Sequence, residues 1–225
     1  LIGKDLALAV QLLDKGCTTG DALGCASLGV SYVKGAGVAK DLTRAAELFQ
    51  RACDADMLSA CRDLGTLYLE RENTPDASKA APLLRRACDA GDDGACTNLA
   101  YAYQRGIGVA KDSTLAVAMY RRARDRHVVS ACGKLGLLYL RGEGIPRDLA
   151  QALVLLDGAC TANNAGACTN LGALFWQGTG VARDPARAAQ LLQKACDGGD
   201  MVGRSNLARV YEERGAAQKP AKRPR

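Results

Sequence analysis

Ten cysteines are the residues best suited to chemistry in this 225-residue chain, and eight of them form four evenly spaced pairs. Cys17/Cys25, Cys53/Cys61, Cys88/Cys96 and Cys160/Cys168 are each eight residues apart, on a period of about 36 residues. If each pair joins the end of one helix to the start of the next across a short turn such as DAGDDGA, its Cα atoms come within disulfide range. Each bridge would then add roughly 2 to 3 kcal/mol by the loop-entropy account. Zinc is the competing chemistry, but its sites use shorter cysteine spacings and commonly histidine, and the chain has one histidine, His127. Read as disulfides, the pairs point to an oxidising compartment.

Two cysteines break the pattern. Arg124 stands where Cys132 would find its partner, and Arg204 where Cys196 would find its own. The two lie about two repeats apart, too far to bridge within one chain. They read either as inert thiols or as a route to an intermolecular disulfide.

Other nucleophile patterns are sparse. Ser31-Tyr32-Val33-Lys34 matches the S-x-x-K of serine β-lactam enzymes, but neither S-D-N nor K-T-G accompanies it. With seven serines and ten lysines such a match arises by chance roughly 0.3 times. Leu67, Ala102, Leu138, Leu174 and Val210 occupy the same repeat position as Ser31, so it sits in an apolar row. A Ser-His-Asp or Cys-His site would have to use His127, which falls at a turn with no motif near it. There is no C-x-x-C and no phosphate-cradling G-x-x-x-x-G-K-[ST], and the repeated GxG loops do not open a βαβ unit. The expectation is a protein without catalytic residues, metal or cofactor.

The elements that carry these residues are legible without the cysteines. Leu28, Leu64, Leu99, Leu135, Leu171 and Leu207 recur every 35 or 36 residues, each followed four positions later by Tyr32, Tyr68, Tyr103, Tyr139, Phe175 or Tyr211. That is one face of a helix, helix A, and its aromatics read as core side chains with the hydroxyl at the edge. A second pattern, helix B, opens at Asp41, Asp112, Asp148 or Asp184, each placed to cap backbone N–H groups, and Pro185 suits the first helical position. Between them the phrases KGAGVAKD, RGIGVAKD, RGEGIPRD and QGTGVARD recur. Gly29, Gly65, Gly136 and Gly172 fall mid-helix, where glycine costs roughly 0.5 to 1 kcal/mol, so a close helix approach is expected to offset them.

The pattern predicts an all-α fold, a right-handed α/α superhelical solenoid of about six 36-residue helix-turn-helix repeats, with about twelve helices. It starts inside a helix B, Asp5 to Gly16, and ends on a helix A, Asp200 to Glu213. The second unit is irregular: ERENTPDASKAAP lacks the loop glycines and places Pro82 inside helix B, predicting a late start or a kink. Residues 1–213 read as the solenoid and 214–225 as a basic, disordered tail. Lys219, Lys222, Arg223 and Arg225 carry four of the net six positive charges, leaving a body near neutrality with no broad face for nucleic acid. No leader or membrane span is visible, and a start inside a helical pattern suggests that a leader or a further repeat lies upstream.

CxxLGxxYxxGxGVxxDxxxAxxxxxxAC resembles the Sel1-like repeat, and its C-x7-C elaboration is similar to the Helicobacter cysteine-rich protein family; the resemblance covers residues 4 to 213. It implies αα-hairpin repeats, disulfides within hairpins, export to the periplasm, cell envelope or outside the cell, and protein binding. Some relatives are described as penicillin-binding or weakly β-lactam-hydrolysing, which makes that activity the alternative function. Related cysteine-rich repeat proteins of the mitochondrial intermembrane space supply the alternative location.

Surface recognition is the function that remains. Three helix A rows vary while their neighbours repeat: Ser27, Asp63, Asn98, Lys134, Asn170, Asn206; Val30, Thr66, Tyr101, Leu137, Ala173, Arg209; and Lys34, Glu70, Arg105, Arg141, Gln177, Glu213. Stacked A helices would line a concave groove. Its central residues Asn98, Lys134, Asn170, Arg105 and Arg141 offer donors for a peptide carboxylate or extended backbone, and Tyr101 and Leu137 add apolar contact. The partner is a protein or peptide, and the chain reads as a monomer unless Cys132 or Cys196 links two copies.

Overall fold

The computed structural model describes residues 2–70 and 76–217. The tail cations Lys219, Lys222, Arg223 and Arg225 lie outside them. Twelve α-helices and no strand are present among the described residues. The odd-numbered helices are of type B: α1 (Ile2–Thr18), α3 (Leu42–Asp54), α5 (Ala77–Asp89), α7 (Ser113–Asp125), α9 (Leu149–Thr161) and α11 (Pro185–Asp197). The even-numbered helices are of type A: α2 (Ala22–Lys34), α4 (Leu58–Leu69), α6 (Asp93–Arg105), α8 (Val129–Arg141), α10 (Ala165–Gln177) and α12 (Met201–Ala217). They form two compact units, Leu1–Met119 and Tyr120–Arg225.

The recurring loop phrase builds one connection repeatedly. Gly35, Gly106, Gly142 and Gly178 end their A helices in the left-handed region, each N–H returning to a carbonyl of the last turn. The closing aspartate then works at both ends. Its N–H donates to the carbonyl of the helix A aromatic, as from Asp41 to Tyr32 at 3.1 Å and from Asp184 to Phe175 at 2.8 Å. Its carboxylate caps the next helix, as Asp41 does for the N–H groups of Thr43 and Arg44 at 2.9 Å.

Within a hairpin, the mid-helix glycines let helix B close on helix A. A Cβ at Gly29, Gly65, Gly136 or Gly172 would stand 2.8, 2.7, 3.0 or 2.8 Å from Phe49, Leu84, Leu156 or Leu192, all of them buried. Alanines fill the tightest rows: Ala45, Ala80, Ala116, Ala152 and Ala188, one on each B helix from α3 to α11, are fully buried. On α1 the same row holds Ala9, which is exposed, and Leu12 is 62% exposed against 2% for Leu48 in its row of α3.

Helix α5 does not start late. It begins at Ala77, in register, and runs through Pro82 to Asp89. Pro82 faces solvent, while Ala77, Ala80, Ala81, Leu84, Ala87 and Cys88 are buried on the other side. Burial of that stripe outweighs the one backbone hydrogen bond that proline removes. At the other end α12 passes Glu213 and reaches Ala217, because no loop phrase with an αL glycine stops it.

Candidate functional site

All four cysteine pairs are disulfides. Cys17–Cys25, Cys53–Cys61, Cys88–Cys96 and Cys160–Cys168 have Cα–Cα distances of 4.4, 4.7, 4.6 and 4.6 Å. Each ties the last turn of a B helix to the first turn of the next A helix, so the sulfurs are bonded to one another and not available as zinc thiolates. The turn between them passes through a left-handed residue, Gly20, Asp56, Gly91, His127, Asn163 or Gly199. His127 therefore occupies a backbone position that glycine, asparagine or aspartate fills in the other repeats, and its side chain is exposed. Among the described residues no three of histidine, cysteine, aspartate and glutamate come together to hold a metal ion.

Cys132 and Cys196 are free thiols and half-buried. Burial pushes the Cys132 thiol up from its ordinary pKa, against the smaller opposing pull of the Arg124 charge. That favours the protonated, unreactive form.

The Ser31 hydroxyl donates to the carbonyl of Ser27 one turn back, at 3.1 Å. Its apolar row is borne out: Leu67, Ala102, Leu138, Leu174 and Val210 are all buried. Lys34, one turn on, is exposed.

The variable A-helix rows divide by depth. Ser27, Asp63, Asn98, Lys134, Asn170 and Asn206 are half-buried, as are Val30, Thr66, Tyr101, Leu137 and Ala173, whereas the row from Lys34 to Glu213 is exposed. Asn98, Tyr101 and Arg105 lie on α6 in the first unit; Lys134, Leu137 and Arg141 on α8 and Asn170 on α10 lie in the second. Several of these donors are engaged internally, which sequence alone did not reveal. The Asn98 amide donates to Thr66 Oγ1 on α4 at 2.7 Å, the Asn170 amide to the Gly166 carbonyl at 2.7 Å, and Arg141 lies 3.7 Å from Glu143. Tyr101, Arg105 and Lys134 also interact with neighbouring groups.

Sequence reading missed a cleft in the first unit, between α2 and α4. It measures about 330 Å³ and is lined by residues of the variable rows together with Val33, Phe49 and Leu67. The signal was present in the small size of Val30 and Thr66, where the next two repeats place Tyr101 and Leu137. Near its upper end Arg62 bonds Asp63 on its own helix at 3.2 Å and Asp92, the cap of α6, at 2.8 Å. One cation thus serves two carboxylates.

The family model described as Sel1 repeat matches five consecutive segments, residues 22–57, 58–92, 94–127, 129–164 and 165–200. Among solved structures, a Sel1 repeat protein from Oxalobacter formigenes is 28% identical with a TM-score of 0.76, covering 84% of this chain and 76% of that one. A protective antigen of uropathogenic Escherichia coli with an SLR fold is 30% identical with a TM-score of 0.70; 90% of this chain matches it, spanning 44% of its length. Helicobacter pylori cysteine rich protein B is 29% identical over 60% of this chain and 98% of its own, with a TM-score of 0.45. No curated protein matches the sequence.

Proposed function

The chain belongs to the Sel1 repeat family, and from that premise we propose that it is a non-catalytic scaffold of an oxidising compartment that binds a protein or peptide on its A helices. One observation carries this reading. The A-helix positions that build the core repeat from unit to unit, while the more accessible rows beside them vary in size and charge along the chain. A constant framework carrying a variable face is what selective recognition requires. The four disulfides support an exported location in the periplasm, in the cell envelope or outside the cell. No helix among the described residues is long and apolar enough to cross a membrane.

Photo-crosslinking in the source cells tests the face. A photoreactive residue at Tyr101 or Leu137 should capture a discrete partner, and the same residue at Glu47 or Gln190, exposed on B helices, should not. Replacing Lys134 and Arg141 with Glu should lower the yield at Leu137 at least tenfold. Equal capture from both faces, or a yield indifferent to the charge reversal, would overturn the reading.

A further inference from the structure

The cleft between α2 and α4 has an apolar floor of Val30, Val33, Phe49 and Leu67. Phe49 reaches it because Gly29 lacks a side chain, and a Cβ there would meet the ring at 2.8 Å. At about 330 Å³ the cleft lies at the small end of the roughly 300–1,000 Å³ range of ligand pockets, the size for one side chain.

Its walls differ in charge. Lys34 stands on the α2 side and Glu70 at the same level on the α4 side, both exposed. Two turns away Asp63 adds a second carboxylate to the α4 wall, and its neutralising Arg62 is shared with Asp92. The α2 wall is therefore basic and the α4 wall acidic, with an apolar seat between them.

We propose that this cleft is a peptide subsite for one large aliphatic or aromatic side chain, from a segment carrying an acid on one flank and a base on the other. The acid faces Lys34 and the base faces Glu70. The inference deepens the scaffold reading and rests on it.

Selection of a random linear peptide library on the whole, disulfide-intact chain tests it. The expected consensus is acid–apolar–base, and the double reversal Lys34→Glu with Glu70→Lys should select base–apolar–acid. Val30→Tyr, which supplies the side chain found at Tyr101, should fill the seat and weaken the labelled consensus peptide at least tenfold in anisotropy, with an unchanged melting curve. A consensus that survives both the reversal and Val30→Tyr overturns the subsite. If those same peptides are lost on Lys134→Glu with Arg141→Glu, the scaffold reading stands without it. A library that yields no binder overturns the subsite together with peptide binding.

Discussion

The indole Nε1 of Trp176 donates to the carboxylate of Glu213 at 2.7 Å, joining the last turn of α10 to α12. Arg183 bonds the same carboxylate and donates through Nε to the Trp176 carbonyl at 2.9 Å. Beneath this clamp the Trp176 ring packs against the Leu207 and Val210 cluster.

The hydrogen bond from Trp176, and then that from Arg183, hold the Glu213 carboxyl below the usual glutamate pKa. A carboxyl depressed in the folded state contributes its stability above its unfolded pKa and loses it as pH falls through the folded one. Trp176 is the single tryptophan, so its emission reports the clamp directly. Acid titration should give an emission step below the ordinary glutamate range, and Glu213→Gln should remove that step. An identical step in the variant would assign it to another group.

The glycine contacts predict opposite signs at two helical positions. Gly65→Ala places a methyl 2.7 Å from Leu84, which is fully buried. Overpacking of roughly 1 to 3 kcal/mol then exceeds the helix-propensity gain of about 1 kcal/mol, lowering the urea midpoint. Gly158 lies inside α9 with nothing within 4 Å of its would-be Cβ, so Gly158→Ala should raise stability by about 0.5 to 1 kcal/mol. The reverse order of midpoints would refute this packing account.

Ser31 should not act as a nucleophile. Its hydroxyl already donates to the Ser27 carbonyl, and Lys34 projects into the exposed row. Nitrocefin should remain unhydrolysed by the native protein and by Ser31→Ala alike. Turnover that Ser31→Ala abolishes would instead establish the β-lactam activity described for relatives.

What the sequence could reveal was whatever recurs. The A and B helices, the aspartate caps and the four bridges each appear several times, so register alone located them. Single features were harder to see. Pro82 reads as a breaker, yet the packing of Ala80 and Leu84 carries α5 through it. Trp176, Arg183 and Glu213 form a clamp only because an end helix folds back beside a loop 30 residues earlier, and no local pattern marks that. Asn98 and Thr66 likewise carry no periodic sign that one will donate to the other across two A helices.

Counting thiols tests both architecture and location. Alkylation of denatured, unreduced protein followed by intact mass should add two labels, on Cys132 and Cys196. Fewer than two, with a dimer on non-reducing gels, would show that one of them links copies. Replacing Cys53 and Cys61 together with Ala should cost roughly 2 to 3 kcal/mol by the loop-entropy account, measured by urea unfolding. The location follows from the same chemistry applied to source cells with thiols trapped at lysis. Two labels there would mean that the bridges exist where the protein works, and the partner belongs among exported or envelope proteins. Ten labels would mean that the pairs are reduced in place, and the exported reading would give way to an adaptor of a reducing compartment.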